Sequence, residues 1–292
     1  MKSRITILWT LVFVRVLLNA QPPSQIYVFD LLQGESMHIA NPRMVTAYNP
    51  SGYNNQPYFI NENELLVSSL VSPAKTTDIY LLNLANNTKQ QITATAVSEY
   101  SPTLTPSKNL ISCVRVDDPA TAEQHLYIYE LKGQGNITKL LPDIKNVGYH
   151  TWLTEKDVAL FLVNKPNQLA LVNTDSKDPL IFTSDVGRCL TVNARGNLVY
   201  VHKLTEKDWY IKEYDEANHR ATIISETYPG SEDFALAPNG NIIMGKGSKL
   251  FYTLPGTNTW QEIGDLKYFG IQNISRLAVK GKHIALVNNP IP

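Results

Sequence analysis

Apolar runs and polar turns alternate along the chain from residue 26 onward, and they form two kinds of paired run. Six pairs of the first kind, in which an aromatic and aliphatic run leads through a polar turn to a short apolar run, begin at Ile26, Ile79, Leu126, Leu169, Trp209 and Leu250. Six pairs of the second kind, in which a short run and a tight turn lead to a strongly apolar run, begin at Pro57, Pro102, Thr151, Leu190, Phe234 and Leu277. Turns such as Asn239-Gly240 are typical of β-hairpins, because glycine accepts a positive φ without steric cost.

The order of the two kinds of hairpin indicates the architecture. The chain opens with the first kind, over residues 26–39, and closes with the second kind, over residues 277–287, whereas every interior repeat has the second kind followed by the first. Four strands in each repeat of about 40 to 53 residues are typical of propeller blades. We therefore predict an all-β, six-bladed β-propeller over residues 21–292, with four-stranded antiparallel blades and one blade shared by the two chain ends, two strands from each. A β-sandwich is the alternative, but it does not explain why the terminal pieces are complementary halves.

The first 20 residues have a different character. Lys2 and Arg4 precede a mostly apolar run from Ile5 to Leu18, and Ala20 stands before a polar segment that contains proline. This order is typical of a secretory signal peptide, and it predicts a periplasmic or secreted protein that is not integral to a membrane once the signal is removed. An N-terminal anchor helix is the alternative, which the shortness of the run and its charge at Arg15 disfavour.

Charge and cysteine content narrow the possible partners. The 26 basic and 26 acidic residues give a formal net charge of zero, which argues against nucleic acid as a partner. The two cysteines, Cys113 and Cys189, fall on different strands two blades apart in the predicted ring. A disulfide between them is not expected, because bridged Cα atoms lie within about 7 Å of each other.

The hairpins of the second kind carry a recognisable motif. Glu99-Tyr100-Ser101-Pro102, followed by the turn Thr105-Pro106-Ser107-Lys108-Asn109 and an apolar strand, resembles the repeat of TolB-type β-propellers. Asn54-Asn55-Gln56-Pro57 resembles the start of the same repeat with Asn54 in place of the acid, and Ala237-Pro238-Asn239-Gly240-Asn241 resembles its turn. The resemblance implies a six-bladed propeller. It also implies a periplasmic role in binding partner proteins of the cell envelope, although the same repeat occurs as an accessory domain of peptidases.

The innermost strand of each blade lines the central channel of a propeller, so the residues just before those strands should meet at one mouth. In the repeat alignment these residues are Gln56, Ser101, His150, Arg188, Asp233 and Arg276, with Glu99 and Glu232 as near neighbours. Convergent polar groups in a concave site are the usual sign of a binding site. We therefore predict ligand-binding residues at Gln56, Glu99, His150, Arg188, Asp233 and Arg276. The ligand would be a peptide, a carboxylate or a sugar, and the two arginines could donate to a carboxylate. A solvated funnel without a ligand is the alternative.

Sequence motifs of catalysis are missing. The chain has no Gly-x-Ser-x-Gly and no His-Glu-x-x-His. A lactonase-like divalent metal site could draw on Glu99, Asp233 and Asn273, since hard cations prefer oxygen ligands, but two nearby arginines would repel the cation. We therefore expect no metal, no cofactor and no catalytic residue. The alternative function is a channel-centred enzyme of the lactonase or polysaccharide-lyase kind.

These features lead to a prediction of function. We expect an exported, monomeric, non-catalytic propeller that binds an envelope protein or peptide through one mouth of the ring. The longer connections over Val71–Asp78 and Asp117–Gln124 both join the second and third strands of a blade, so they lie on one face. Loops that lengthen on one face often mark the binding face.

Overall fold

The computed structural model describes residues 21–133 and 135–291. These residues form six four-stranded antiparallel sheets, with a single 3-10 turn at Lys267–Phe269 and no α-helix among them. The all-β, six-bladed architecture predicted from the hairpin order is confirmed. The predicted signal peptide, residues 1–20, lies outside the described residues and stays a prediction.

The strands follow the chain blade by blade. Blade 1 comprises β3 (Tyr53–Asn61), β4 (Glu64–Leu70), β5 (Asp78–Asn83) and β6 (Thr88–Gln91). Blade 2 comprises β7 (Glu99–Leu104), β8 (Leu110–Asp118), β9 (Glu123–Glu130) and β10 (Thr138–Lys139). Blade 3 comprises β11 (Val147–Trp152), β12 (Asp157–Leu162), β13 (Gln168–Asn173) and β14 (Pro179–Ser184). Blades 4 and 5 comprise β15 (Val186–Val192), β16 (Leu198–Lys203), β17 (Trp209–Asp215) and β18 (Arg220–Glu226), then β19 (Phe234–Leu236), β20 (Ile242–Lys246), β21 (Lys249–Thr253) and β22 (Gln261–Asp265). Blade 6 comprises β23 (Ile274–Lys280), β24 (His283–Asn288), β1 (Gln25–Gln33) and β2 (Met37–Met44).

Blade 6 closes the ring with strands from both chain ends. Its order is β2-β1-β24-β23, and β1 pairs with β24 from Gln25 opposite Asn288 to Asp30 opposite His283. The predicted two-plus-two closure is therefore confirmed. Because β1 and β24 pair with each other, neither has a long edge open to pairing with another chain.

The hydrophobic core is distributed between neighbouring blades. Ile26, Val28 and Ala285 of blade 6 form one buried cluster with Leu65 and Val67 of blade 1. Similar clusters of β-branched and aliphatic side chains join the other blades, because the middle strands are buried on both faces. The outer strands are polar by comparison, and all of the residues in β6 are exposed.

Two sequence predictions about the rest of the chain can be compared with the structure. Cys113 lies on β8 and Cys189 on β15, in blades 2 and 4, and both are free thiols, which confirms that they do not pair. In the part of the chain that the structure describes, no helix has the length and apolar character needed to cross a membrane.

Candidate functional site at the centre of the ring

The first strand of each blade faces the central axis, and these strands enclose a cavity of about 120 Å³. Five of the six predicted ligand-binding residues line it, namely Gln56, His150, Arg188, Asp233 and Arg276, together with Ser101. The repeat alignment therefore identified residues from six blades that come together in the fold. Their role in binding a ligand stays a prediction.

Bulges in the inner strands place these side chains. The alignment expected each residue just before its strand, but only Asp233 precedes one, and the others lie within β3, β7, β11, β15 and β23. The pairing register shifts between Asn55 and Tyr58 and again between Tyr100 and Thr103, and the φ angles of Gln56 and Ser101 are both 53°. A bulge adds an unpaired residue and re-aims the side chains around it, which accounts for the difference from the expected position.

Two arginines and one aspartate form the charged centre of the site. Arg188 donates from Nε and Nη2 to the carboxylate of Asp233, with distances of 2.5 to 3.2 Å. Arg276 donates from Nη1 to the two oxygens of the same carboxylate at 2.9 and 3.0 Å. Burial alone lowers the pKa of Arg188, but the hydrogen bonds and charge of Asp233 outweigh it and raise that pKa. Three consecutive blades thus contribute one residue each to a single ionic cluster, which we call the Arg-Asp-Arg clamp.

Two further groups extend the charged region toward the mouth. Glu232 contacts Arg188 Nε at 3.3 Å and Lys203 Nζ at 2.5 Å. Lys203 also lies 4.2 Å from the ring of Trp209, in a cation–π contact. Lys203 and Trp209 were not among the predicted site residues, because both lie outside the inner strands, on β16 and β17.

Tyr149 is a cavity residue that the sequence did not identify. Its hydroxyl accepts a hydrogen bond of 2.5 Å from Arg276 Nη2, and its ring lies 5.1 Å from the guanidinium carbon. The sequence could have indicated Tyr149 by its position next to His150 on an inner strand. Tyr149 fixes the guanidinium of Arg276 in two ways at once, by a hydrogen bond and by its aromatic face.

His150 is buried and neutral in the wall of the same cavity. Its Nε2 lies 2.6 Å from Ser112 Oγ, which also accepts a hydrogen bond of 2.9 Å from the indole of Trp152. Burial lowers the pKa of His150 to about 3. Its Nδ1 is buried and has no hydrogen-bond partner, and the same is true of Nε of Arg276.

Glu99 is the predicted site residue that the structure places elsewhere. Its side chain is fully buried, accepts hydrogen bonds from Thr95 at 2.5 Å and Tyr129 at 3.1 Å, and does not line the cavity. Burial raises its pKa, against the hydrogen bonds from Thr95 and Tyr129 that lower it. Side chains two positions apart on a strand normally face the same side, but the bulge after Glu99 changes the direction of Ser101. Ser101 therefore faces the cavity and Glu99 does not. The prediction that Glu99 stands at the mouth is therefore corrected.

The groups considered for a metal site are not assembled. Among residues 21–133 and 135–291, no three His, Cys, Asp or Glu side chains form a cluster suited to a metal ion. Glu99 lies away from the cavity, and Asp233 is already paired with two guanidinium groups.

One face of the ring carries the mouth of this cavity. Strand directions alternate, so the connections between second and third strands lie on the side where the inner strands begin. The longer connection after β4 runs from Val71 to Thr77, and the Thr77 carbonyl accepts a hydrogen bond of 2.8 Å from the Glu99 amide, beside the start of β7. The second connection is shorter than expected, because β8 extends to Asp118 and β9 begins at Glu123.

Comparison with known proteins identifies the fold. No family model matches the sequence, and no curated protein matches it in sequence. A solved structure assigned as TolB from Agrobacterium tumefaciens matches with a TM-score of 0.67 at 12% identity, over 93% of this chain and 99% of that chain. TolB from Acinetobacter baumannii matches with a TM-score of 0.60 at 14% identity, over 91% of this chain and 63% of that longer chain. Oligogalacturonate lyase from Vibrio parahaemolyticus matches with a TM-score of 0.51 at 10% identity, over 93% of this chain and 99% of that chain.

Proposed function

We propose that this chain, which has the TolB-type six-bladed propeller fold, is an exported, non-catalytic platform that binds a protein or peptide of the cell envelope. The single observation that carries the proposal is the convergence of polar side chains from all six blades on one central cavity. The binding face is the one on which the inner strands begin. Export rests on the character of residues 1–20 and on the resemblance of the repeat.

The state of the charged groups supports binding over catalysis. Asp233 is paired on both oxygens, and the neutral imidazole of His150, with a pKa of about 3, is poorly matched to general base catalysis near neutral pH. Fixed guanidinium donors in a partly desolvated site are suited to recognition, because charge-assisted hydrogen bonds are stronger and more directional than neutral ones. Lys203, Trp209 and Glu232 would surround the contact as a wider rim.

Partner capture from envelope extract of the source organism tests this proposal. The immobilised chain is compared with a double variant, Arg188→Ala with Arg276→Ala, and the captured proteins are identified by mass spectrometry. Arg195→Ala is the matched control, because Arg195 lies in the turn between first and second strands on the opposite face, where its side chain is 72% exposed. The proposal predicts that a specific partner is lost with the double variant and kept with the control. Capture that is the same for all three proteins, with folding confirmed by circular dichroism, would contradict it.

The second candidate function is a channel-centred enzyme, favoured by the fold shared with oligogalacturonate lyase. Such an enzyme would hold a divalent cation in the channel, with Asp233 as a ligand. Elemental analysis of the purified chain separates the candidates. One equivalent of calcium or zinc that is lost on Asp233→Ala would favour the enzyme over the binding platform.

A further inference from the structure

Two buried nitrogen atoms beside the central cavity have no hydrogen-bond partner, namely Nδ1 of His150 and Nε of Arg276. His150 is 6% exposed and the side chain of Arg276 is 14% exposed, and both residues line the same cavity. A buried polar group without a partner is costly, so a native structure rarely keeps one without a reason. Nε of Arg276 can only donate, so it points to a missing hydrogen-bond acceptor in this cavity.

The hydrogen bonds around Ser112 hold one side of the His150 imidazole. Ser112 Oγ accepts from the indole of Trp152 at 2.9 Å, and it lies 2.6 Å from His150 Nε2 and 3.4 Å from the Thr103 carbonyl. Because a hydroxyl accepts two hydrogen bonds and donates one, both neutral tautomers of His150 satisfy Nε2, and Nδ1 carries the hydrogen in one of them. Nε of Arg276 is a donor in either case.

The charged groups around the cavity also favour an anion. Arg188 and Arg276 contribute two positive charges, and Asp233 contributes one negative charge. The nearby carboxylate of Glu232 is offset by Lys203, which it contacts at 2.5 Å. One net positive charge and the unused donor Nε of Arg276 together suit a small anion.

We propose that the cavity takes one carboxylate group of a peptide ligand at a donor that Asp233 leaves free, and that Asp233 both holds the two arginines and opposes the ligand by its like charge. This inference rests on the proposed function, because it names the group by which a bound peptide would be anchored. The cavity of about 120 Å³ holds a carboxylate group, and a neighbouring cavity of about 420 Å³, which shares Arg188, Asp233 and Arg276 as lining residues, leaves room for the rest of the ligand. An incoming oxygen accepts from Arg276 Nε, which no described protein group uses.

A titration with sodium acetate tests the inference without any partner protein. The probe is compared with acetamide, which is neutral and of similar shape, at constant ionic strength. The readout is the ¹⁵N–¹H resonance of the Arg276 Nε–H group. Acetate should shift this resonance saturably, and acetamide should not.

Substitution of Asp233 gives the sharper result. Asp233→Asn removes a like charge next to the incoming carboxylate, so the affinity for acetate should rise by about tenfold or more. Glu155→Gln is the matched control, because it removes a carboxylate from the exposed turn between β11 and β12 on the opposite face, and the affinity of this variant for acetate should stay within about twofold of wild type. Arg276→Lys keeps the charge but removes the Nε donor, and it should abolish saturable protection by acetate in a thermal melt. Acetate that leaves the Arg276 Nε–H resonance of the folded wild type and of Asp233→Asn unshifted would overturn the inference. If Asp233→Asn does not fold, equal protection of wild type and Arg276→Lys by acetate would do the same.

Two short peptides identify the source of the carboxylate. One has a free C-terminus and no acidic residue, and the other has an amidated C-terminus and one aspartate. Displacement of acetate by either peptide supports the inference and names the source, whereas displacement by neither overturns it. Failure here is distinct from failure of the proposed function, because partner capture can still depend on Arg188 and Arg276 when acetate does not bind.

Discussion

The closing blade depends on a buried amide that can be tested directly. Asn54, at the start of β3, is fully buried, and its side-chain nitrogen donates to the carbonyls of Ser24 and Asn49 at 2.8 Å each. Its side-chain oxygen accepts from Asn49 Nδ2 at 3.1 Å and from Ser69 Oγ at 3.0 Å. Ser24 lies immediately before β1, so this network fastens the N-terminal strand to blade 1. We expect Asn54→Leu to weaken the closure of the ring.

The size of the effect follows from the groups left without partners. Leucine has as many side-chain heavy atoms as asparagine but makes no hydrogen bond, and its bulkier methyl groups leave no room for a replacing water molecule. The buried Ser24 carbonyl loses its donor, at about 1–3 kcal/mol, whereas the Asn49 carbonyl keeps the Gly52 amide at 3.3 Å and loses one hydrogen bond, at about 1 kcal/mol. The side chains of Ser69 and Asn49 keep other partners, Tyr48 and the Leu70 carbonyl, so the total loss is about 2–4 kcal/mol. At about 2–4 °C for each kcal/mol in a domain of this size, the melting temperature should fall by roughly 4–16 °C.

Thermal unfolding and amide hydrogen exchange measure this loss. Asn61→Leu is the matched control, because Asn61 lies on the same strand but is exposed, and its variant should stay within about 1 kcal/mol of wild type. Exchange should accelerate most in β1 and β24, which the network holds together, and least in blades 3 and 4. Equal melting temperatures of the two variants, or wild-type protection of β1 in Asn54→Leu, would contradict this expectation.

Three further predictions concern titration, reactivity and processing. His150 has a folded pKa of about 3, below its unfolded value of about 6.5, so its contribution to stability is present above pH 6.5 and is lost as pH falls. Between pH 6.5 and 5 the loss is about 2 kcal/mol, which should appear as a difference between wild type and His150→Gln in denaturant titrations and is contradicted by parallel pH profiles. Burial raises the pKa of Cys113 well above its usual range and that of Cys189 to about 12, so neither thiol should react with a disulfide reagent at neutral pH until the chain is unfolded. In the exporting host, the mature chain should begin at Gln21, as read by intact mass, whereas an intact N-terminus would favour the anchor helix.

The fold was predictable because its determinants are local and repeated. Each interior repeat contains the same two kinds of paired apolar run joined by polar turns, and the complementary first and last hairpins indicate how the ring closes. The same repetition placed His150, Arg188 and Arg276 at equivalent positions, so their convergence also followed from the sequence. Equivalence between blades is a strong constraint, because six copies of one pattern leave little freedom in register.

The details of the site were less predictable because they depend on bulges and on packing between blades. Glu99 illustrates the first limit. The side chains of Glu99 and Ser101 point in different directions because Ser101 has a positive φ, and a serine in the sequence does not indicate a positive φ as a glycine would. The Arg-Asp-Arg clamp illustrates the second, since its residues come from blades 4, 5 and 6 and lie more than 40 positions apart. The sequence pattern indicated polar residues at the mouth, but it did not indicate that Arg188 and Arg276 are both paired with Asp233.

The clamp and the ring closure are structurally linked through blade 6. Arg276 lies on β23, which pairs within its sheet only with β24, and β24 pairs in turn with β1 from the N-terminal end. Separation of β1 would leave β23 and β24 as a two-stranded hairpin, which is marginally stable on its own in water. The position of Arg276 beside Asp233 therefore depends on a strand that enters the fold some 245 residues earlier, between Gln25 and Gln33. Closure of the propeller is in this sense a requirement for the candidate site, because an open ring has no fixed third member for the clamp.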